Sequence, residues 1–393
     1  MRFIGVLVVV AVVSTAVSWL LATGLDAADK IASVVGALAA VGSLGFAVWA
    51  WGNPERGPRR SPKRVALLSG ALLVVGGVPP LIVAVTAEEA PPPATKGVEW
   101  VQQAVLTGSD SRIMSLSISP NGKLIAAGDY RGEVHVWDAR SGDLVKEFQV
   151  DKDVVEAVAF SPDGSRLAVG GWDTKMRTVD TDTWTVKNTF TGADDWVEAL
   201  SYSADGEYIA IWSSDEVLHI RDAGSRKTVA TLKDVCGAVF LDNTMLAVST
   251  GKEIRRYDAK AKSYGDTIVT TEHSSCDLDA SRGGTYLVVS GGVIGADKRK
   301  VPTRLRDLKD GKDITLQDAP AGGDATAFTH DGKHLVMSTG KGGASVWSVP
   351  DGKHVAELPR APESVFTIAT GPDGLLATGG ADNVVRLFRK QQG

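Results

Sequence analysis

The sequence predicts two regimes in one chain: an N-terminal all-α transmembrane region of three helices, then an all-β seven-bladed propeller. Three observations carry this. Three uncharged apolar runs fill the first 87 residues, a proline-rich stretch follows them, and from residue 98 onward one turn pattern recurs seven times. The averages over 393 residues (44% hydrophobic, 23% charged, formal charge -5) conceal the division: residues 1–87 hold 7 Lys+Arg and 3 Asp+Glu, residues 88–393 hold 35 and 44.

The apolar runs cover residues 3–25, 31–52 and 65–87. At 1.5 Å per residue each can cross ~30 Å of hydrocarbon as a helix. The first connector carries one basic residue, Lys30, beside Asp26 and Asp29, whereas the second carries Arg56, Arg59, Arg60, Lys63 and Arg64 against Glu55. By the positive-inside rule the second connector and the N-terminus are cytoplasmic, and everything beyond residue 87 is extracytoplasmic. The expected location is therefore a cell membrane, multi-pass. A cleaved signal peptide is the alternative for the first run, although its apolar core is longer than usual and no A-x-A site follows. The orientation is the same either way.

No Asp, Glu, Lys, Arg or His lies within these runs, which excludes the groups that proton relays, ion paths and voltage sensors need. Ala32, Gly36 and Ala40 recur at four-residue spacing on the second run. Small residues on one helix face permit close helix packing, within this chain or with a partner subunit.

Residues 88–97 (EEAPPPATKG) read as an extended linker. After it the turn Ser119-Pro120-Asn121-Gly122 recurs as Ser161-Pro162-Asp163-Gly164, Ser203-Ala204-Asp205-Gly206, Ser281-Arg282-Gly283-Gly284, Thr329-His330-Asp331-Gly332 and Gly371-Pro372-Asp373-Gly374, with residues 240–244 in the remaining slot. Short period-two runs flank each turn, such as residues 154–160 and 166–170. A further run ends on Asp at Asp138, Asp180, Asp222, Asp258 and Asp307. Four short strands per period of about 40 residues are a propeller blade.

Blades such as Phe160-Ser161-Pro162-Asp163-Gly164 through Trp172-Asp173 to Val179-Asp180 resemble WD-repeats, of a bacterial, membrane-anchored type. The resemblance spans residues 98–389. The Gly-His dipeptide of the family is absent from every blade, and Val179, Arg221, Tyr257, Arg306 and Phe388 fill the Trp slot in five, so the Asp-His-Ser-Trp tetrad is expected to be missing or incomplete. The resemblance implies that residues 98–107 complete the last blade, which has only three strands of its own, and close the ring. It also implies that the Ser-Pro-Asp-Gly turns face the membrane and that the opposite, distal face points away.

On that distal face the resemblance places Tyr130 and Arg131 of blade one, Asp151, Lys152, Asp153, Glu156 and Trp172 of blade two, and Asp194, Asp195, Trp196 and Glu198 of blade three. Aromatic anchors ringed by charge suit a protein partner, since ring burial supplies energy and charges set partner choice. Packing of Trp172 and Trp196 between blades is the alternative. The expected function is a protein-interaction scaffold or accessory subunit of an envelope membrane complex. An alternative is a propeller enzyme or sensor that binds a small molecule or metal in its channel.

Other classes find no support. There is no G-x-S-x-G elbow, H-E-x-x-H, Walker loop or EF-hand-like loop, so neither catalytic nor cofactor nor metal residues are expected. The acidic soluble half argues against nucleic acid and anionic lipid as ligands. The six histidines fall in different blades or on turns and are expected to be solvent-exposed. Cys236 and Cys276 align with Val155 and Glu156, adjacent slots whose side chains alternate to opposite faces, so free thiols are expected.

Overall fold

The computed structural model describes residues 99–391, apart from short loop stretches at 151, 271–275, 291–292, 295–298, 301, 321–324 and 341. The three expected membrane helices (3–25, 31–52, 65–87), with Ala32, Gly36 and Ala40, and the linker 88–97 lie outside the described residues. Among the described residues no helix is long and apolar enough to cross a membrane.

Seven four-stranded antiparallel sheets are built from consecutive chain segments, 113–149, 155–190, 197–232, 237–270, 278–314, 326–357 and 365–390. The last segment supplies three strands, and Trp100–Leu106 adds the fourth by pairing antiparallel with Val385–Lys390, Trp100 opposite Lys390 and Leu106 opposite Val385. A seven-bladed propeller results, its final blade assembled from both ends of the described chain. Closure of this kind removes the free sheet edges that would otherwise recruit other chains. Blade five carries an extra ribbon, Val293–Ile294 against Arg299–Lys300, between its second and third strands.

The repeated turn explains itself chemically. In Ser161-Pro162-Asp163-Gly164 the Ser161 hydroxyl donates to Asp163 and accepts from the Arg166 N–H at 3.0 Å, while Gly164 N–H donates to Ser161 O at 2.8 Å. Gly164 sits at φ 74°, a conformation that favours glycine. Ser119, Ser203 and Thr329 repeat the hydroxyl-to-carboxylate or hydroxyl-to-amide contact at 2.7–2.8 Å.

The blades pack face to face through alternate side chains. Ala126, Val134 and Val136 of blade one meet Val155, Val158 and Phe160 of blade two in one cluster, all buried. Each such aliphatic side chain contributes roughly 1.5–3 kcal/mol on burial. The innermost strands present an edge to the channel, and its N–H groups need acceptors. Hydroxyls and a carboxylate from the preceding blade supply them: Ser115 to Val158 N–H (3.0 Å), Ser117 to Phe160 N–H (3.1 Å), Ser201 to Phe240 N–H (3.3 Å), Asp279 to Phe328 N–H (3.0 Å) and Thr367 to Leu116 N–H (3.1 Å).

Two expectations are corrected. Cys236 and Cys276 are joined in a disulfide, with Cα atoms 4.8 Å apart. The first strands of blades two, four and five end at Phe160, Phe240 and Ala280, opposite Leu167, Leu246 and Leu287, so both cysteines occupy the slot of Glu156. A slot shared by neighbouring innermost strands points both thiols the same way: counted back from the strand ends, Cys236 matches Glu156 rather than Val155, so the two cysteines do not alternate. His135, His219 and His334 are buried rather than exposed. The first two occupy third-strand positions covered by aromatic neighbours, His135 stacked on Trp137 (5.7 Å) and His219 edge-on to Phe190 (5.2 Å).

Candidate functional site

The first strands of blades one, two, three and seven begin with a β-bulge, at Ile113/Ser115, Val155/Ala157, Val197/Ala199 and Val365/Thr367. A bulge re-aims the extra residue out of the ladder. The residues skipped are Met114, Glu156, Glu198 and Phe366, and the Cys236–Cys276 pair continues the same slot in blades four and five. These side chains lie at the ends of the innermost strands opposite the Ser-Pro-Asp-Gly turns, around one mouth of the channel.

The ends of the second strands lie beside this ring. Trp172 follows Gly170–Gly171, where backbones touch: a Cβ on Gly171 would sit 2.0 Å from Val154 O. That closeness lets Trp172 N–H donate to Val154 O at 3.0 Å and fixes where the indole leaves the chain. Trp196 of blade three stacks on Trp172 with centroids 4.2 Å apart and planes 8° from parallel. Tyr130 of blade one meets Trp172 edge-on at 5.9 Å, and the Arg112 guanidinium lies 5.9 Å from the Tyr130 ring centre. Three blades thus contribute to one aromatic row. Trp196 is 41% and Tyr130 45% exposed, while Trp172 is half-buried.

Carboxylates border the row. Trp172 Nε1 donates to Glu156 Oε2 at 3.3 Å. The Ser214 hydroxyl donates to Glu198. Burial pushes the Glu156 carboxyl up, the Trp172 hydrogen bond opposes this, and the charge of Glu198 adds to it. Asp194 is exposed, its N–H donating to Asp215 at 3.3 Å, and Asp195 accepts the N–H of Trp196 at 2.8 Å. Arg131 pairs with Asp110. Of the eleven residues the sequence places on this face, seven form one patch, while Arg131 stands at its edge; Asp151 lies outside the described residues. Lys152 and Asp153 are exposed.

Elsewhere in blade one, Asp129, Glu133 and His135 bring one donor atom each within 4.8 Å of one another. This is the set closest to a metal-binding geometry, yet its central carboxylate is occupied. Asp129 Oδ1 accepts the N–H groups of Arg131 and Glu133, both at 2.9 Å, and Oδ2 accepts Ser109 Oγ at 3.0 Å and faces His135 Nε2 at 3.2 Å. Burial alone would raise this carboxyl; the hydrogen bonds, that of His135 foremost, outweigh it and hold it low. Trp137 Nε1 donates to Thr107 O at 2.9 Å rather than to a hydroxyl, so no Asp-His-Ser-Trp chain of hydrogen bonds runs through this group.

Inside the ring a cavity of about 300 Å³ is lined by Asp279, Arg282, His330 and Thr370 among others. Burial pushes the Asp279 carboxyl up to about 6.

Comparison with known proteins agrees with this architecture at two blades. The WD40 family (WD domain, G-beta repeat) matches residues 100–138 and 142–180, the closing strand with the first three strands of blade one, and then the last strand of blade one with the first three of blade two. The chain is a WD-repeat β-propeller. A stretch of 42 residues is 45% identical to part of a probable cytosolic Fe-S cluster assembly factor of Schizosaccharomyces japonicus. That stretch is 11% of this chain and 7% of that protein, so the likeness is one of blade sequence. WD-repeat propellers generally serve as platforms for protein partners.

Two features are only faintly marked in the sequence. The bulge that gathers Glu156 and Glu198 at the channel mouth leaves no signature beyond an acidic residue in an apolar strand, and that signal is there at both positions. The shared slot of the two cysteines had a signal too, their separation of one repeat.

Proposed function

We propose that this WD-repeat propeller is a membrane-anchored, extracytoplasmic scaffold or accessory subunit of an envelope membrane complex, and that its partner protein docks on the distal face of blades one to three. The observation that carries the docking reading is the Tyr130–Trp172–Trp196 row, exposed at both ends and bordered by carboxylates. Aromatic anchors of this kind dominate the energetics of protein interfaces. The anchor rests on the three ionisable-free apolar runs, and the orientation on the basic connector between the second and third. The Cys236–Cys276 disulfide supports the same side of the membrane, because structural disulfides persist chiefly in oxidising compartments.

The test is recovery of membrane partners with the full-length chain in mild detergent. Trp196→Ala is expected to lose a stoichiometric partner that the wild-type chain retains. Equal recovery with Trp196→Ala and Tyr130→Ala would remove the distal face from consideration.

A further inference from the structure

We propose that the partner presents a basic polypeptide segment, and that one of its arginine or lysine side chains seats at the distal channel mouth beside the Trp172–Trp196 stack. The inference rests on the docking reading of the same face and adds the chemistry of what docks there.

The first argument is charge that the protein leaves uncompensated. Glu156 and Glu198 occupy the same slot in adjacent blades, and Asp194, Asp195 and Asp215 lie close by. Their hydrogen bonds come from an indole, hydroxyls and backbone N–H groups, and none of the five takes part in a salt bridge among the described residues. Of the basic side chains in these blades, Arg131 pairs with Asp110, Lys175 and Arg177 pair with Asp173, and Arg112 lies over the Tyr130 ring. The elevated Glu156 carboxyl reports the same condition, a buried acid facing another acid.

The second argument is shape. The remaining described members of the ring slot are Met114, Phe366 and the Cys236–Cys276 disulfide, which offer an apolar wall without a cation. An arginine or lysine side chain matches both halves of such a mouth. Its methylene stem lies along apolar and aromatic surface while its charged head reaches the carboxylates. A bare divalent ion matches only one half, and it would have to compete with the Trp172 N–H for Glu156. A net acidic soluble half, 35 Lys+Arg against 44 Asp+Glu, also steers basic partners toward the protein.

The experiment uses the full-length chain in detergent micelles and two peptides, Gly-Ser-Arg-Gly-Ser and the same peptide with citrulline for arginine, followed by tryptophan fluorescence. Citrulline keeps the shape and removes the charge. The arginine peptide is expected to bind about tenfold or more tightly than the citrulline peptide. The Glu156→Gln/Glu198→Gln double variant is expected to lose that preference while keeping its melting temperature. Equal binding of the two peptides, an unchanged preference in the double variant, or no arginine-peptide binding in the millimolar range overturns the inference. Partner recovery with the same variants separates this from the docking reading. If Trp196→Ala abolishes recovery and the double Gln variant does not, the face docks a partner but not through a cation. If neither changes recovery, the docking reading falls as well.

Discussion

Trp172 and Trp196 belong to different blades yet stack face to face at 4.2 Å, 8° from parallel. Each indole covers one face of the other, so the outer ring, Trp196, keeps 41% of its surface in solvent while the inner one is half-buried and hydrogen-bonded to Glu156. The two are therefore not equivalent. Trp196→Ala is expected to cost about 1 kcal/mol of stability, the worth of an aromatic pair, and to remove partner recovery. Trp172→Ala is expected to cost about 3 kcal/mol, because it also opens a cavity and strips Glu156 of its donor. Urea melts of the two variants in detergent check the order; a larger loss for Trp196→Ala would reverse the assignment of inner and outer ring.

The disulfide spans a sequence separation of 40 residues and ties blade four to blade five at the channel mouth. Closing a loop of that length is worth about 4 kcal/mol through the unfolded state. Cys236→Ser/Cys276→Ser is expected to lower stability by roughly that amount, and a reducing agent is expected to do the same to the wild-type chain. A double Ser variant that melts like wild type, together with free thiols by mass spectrometry, would refute the bridge.

The fold was legible because turn chemistry repeats: serine or threonine followed two residues later by Asp or Asn, then Gly, at about 40-residue intervals is a local signal that survives without any alignment. The aromatic row was legible as a set of residues but not as a stack, since a contact between Trp172 and Trp196 depends on how neighbouring blades abut. Burial of the histidines is hidden from the sequence for a related reason. His135 sits in a polar-looking stretch, Glu133-Val134-His135, and only Asp129 from the adjoining strand and the Trp137 ring make its burial tolerable. The cysteines failed on an offset of one residue, and period-two alternation converts such an offset into the opposite face.

Asp279 accepts the N–H of Phe328 from the next blade. Burial raises its carboxyl to about 6, its two backbone hydrogen bonds oppose this, and the charge of Asp277 adds to it. A carboxyl whose folded value lies above its unfolded value of 3.8 makes the native state the stronger proton binder between those values. Its ionisation therefore costs stability as pH rises from about 4 to about 6, and the full cost persists above that. Asp279→Asn keeps the acceptor and removes the charge. It is expected to stabilise the propeller by about 1 kcal/mol at pH 7.5, allowing for water in the channel, and by nothing near pH 4. Denaturation at the two pH values checks the difference, and a variant less stable than wild type at both would show that the charge is not the cost.

His334 behaves with the opposite sign. It packs edge-on to Trp100 at 5.2 Å beside a cavity of about 590 Å³ that also meets Lys390. Burial first, then the charge of Lys390, lowers its imidazole to about 4. A histidine held neutral must charge on unfolding, so its contribution is present above about 6.5 and is lost as pH falls toward 4. At pH 5 the loss is about 2 kcal/mol relative to pH 7.5 from this group. His334→Leu is expected to flatten that slope, read from urea midpoints at the two pH values; an unchanged slope would place the acid sensitivity elsewhere.

The orientation rests on the connector of residues 53–64, with five basic residues and one acidic, and it yields a labelling prediction that the disulfide makes clean. Both native cysteines are bonded to each other, so an impermeant maleimide applied to intact cells has no native target. A cysteine introduced at Lys96, beyond the third apolar run, is expected to react, and one introduced at Gly57 is expected to react only after the membrane is opened. The reverse pattern would put the propeller in the cytoplasm, where a structural disulfide is seldom maintained. Labelling of Lys96→Cys therefore tests two arguments of independent origin, charge bias in a connector and oxidation state in a blade, and they stand on the same side of the membrane only if the extracytoplasmic assignment is right.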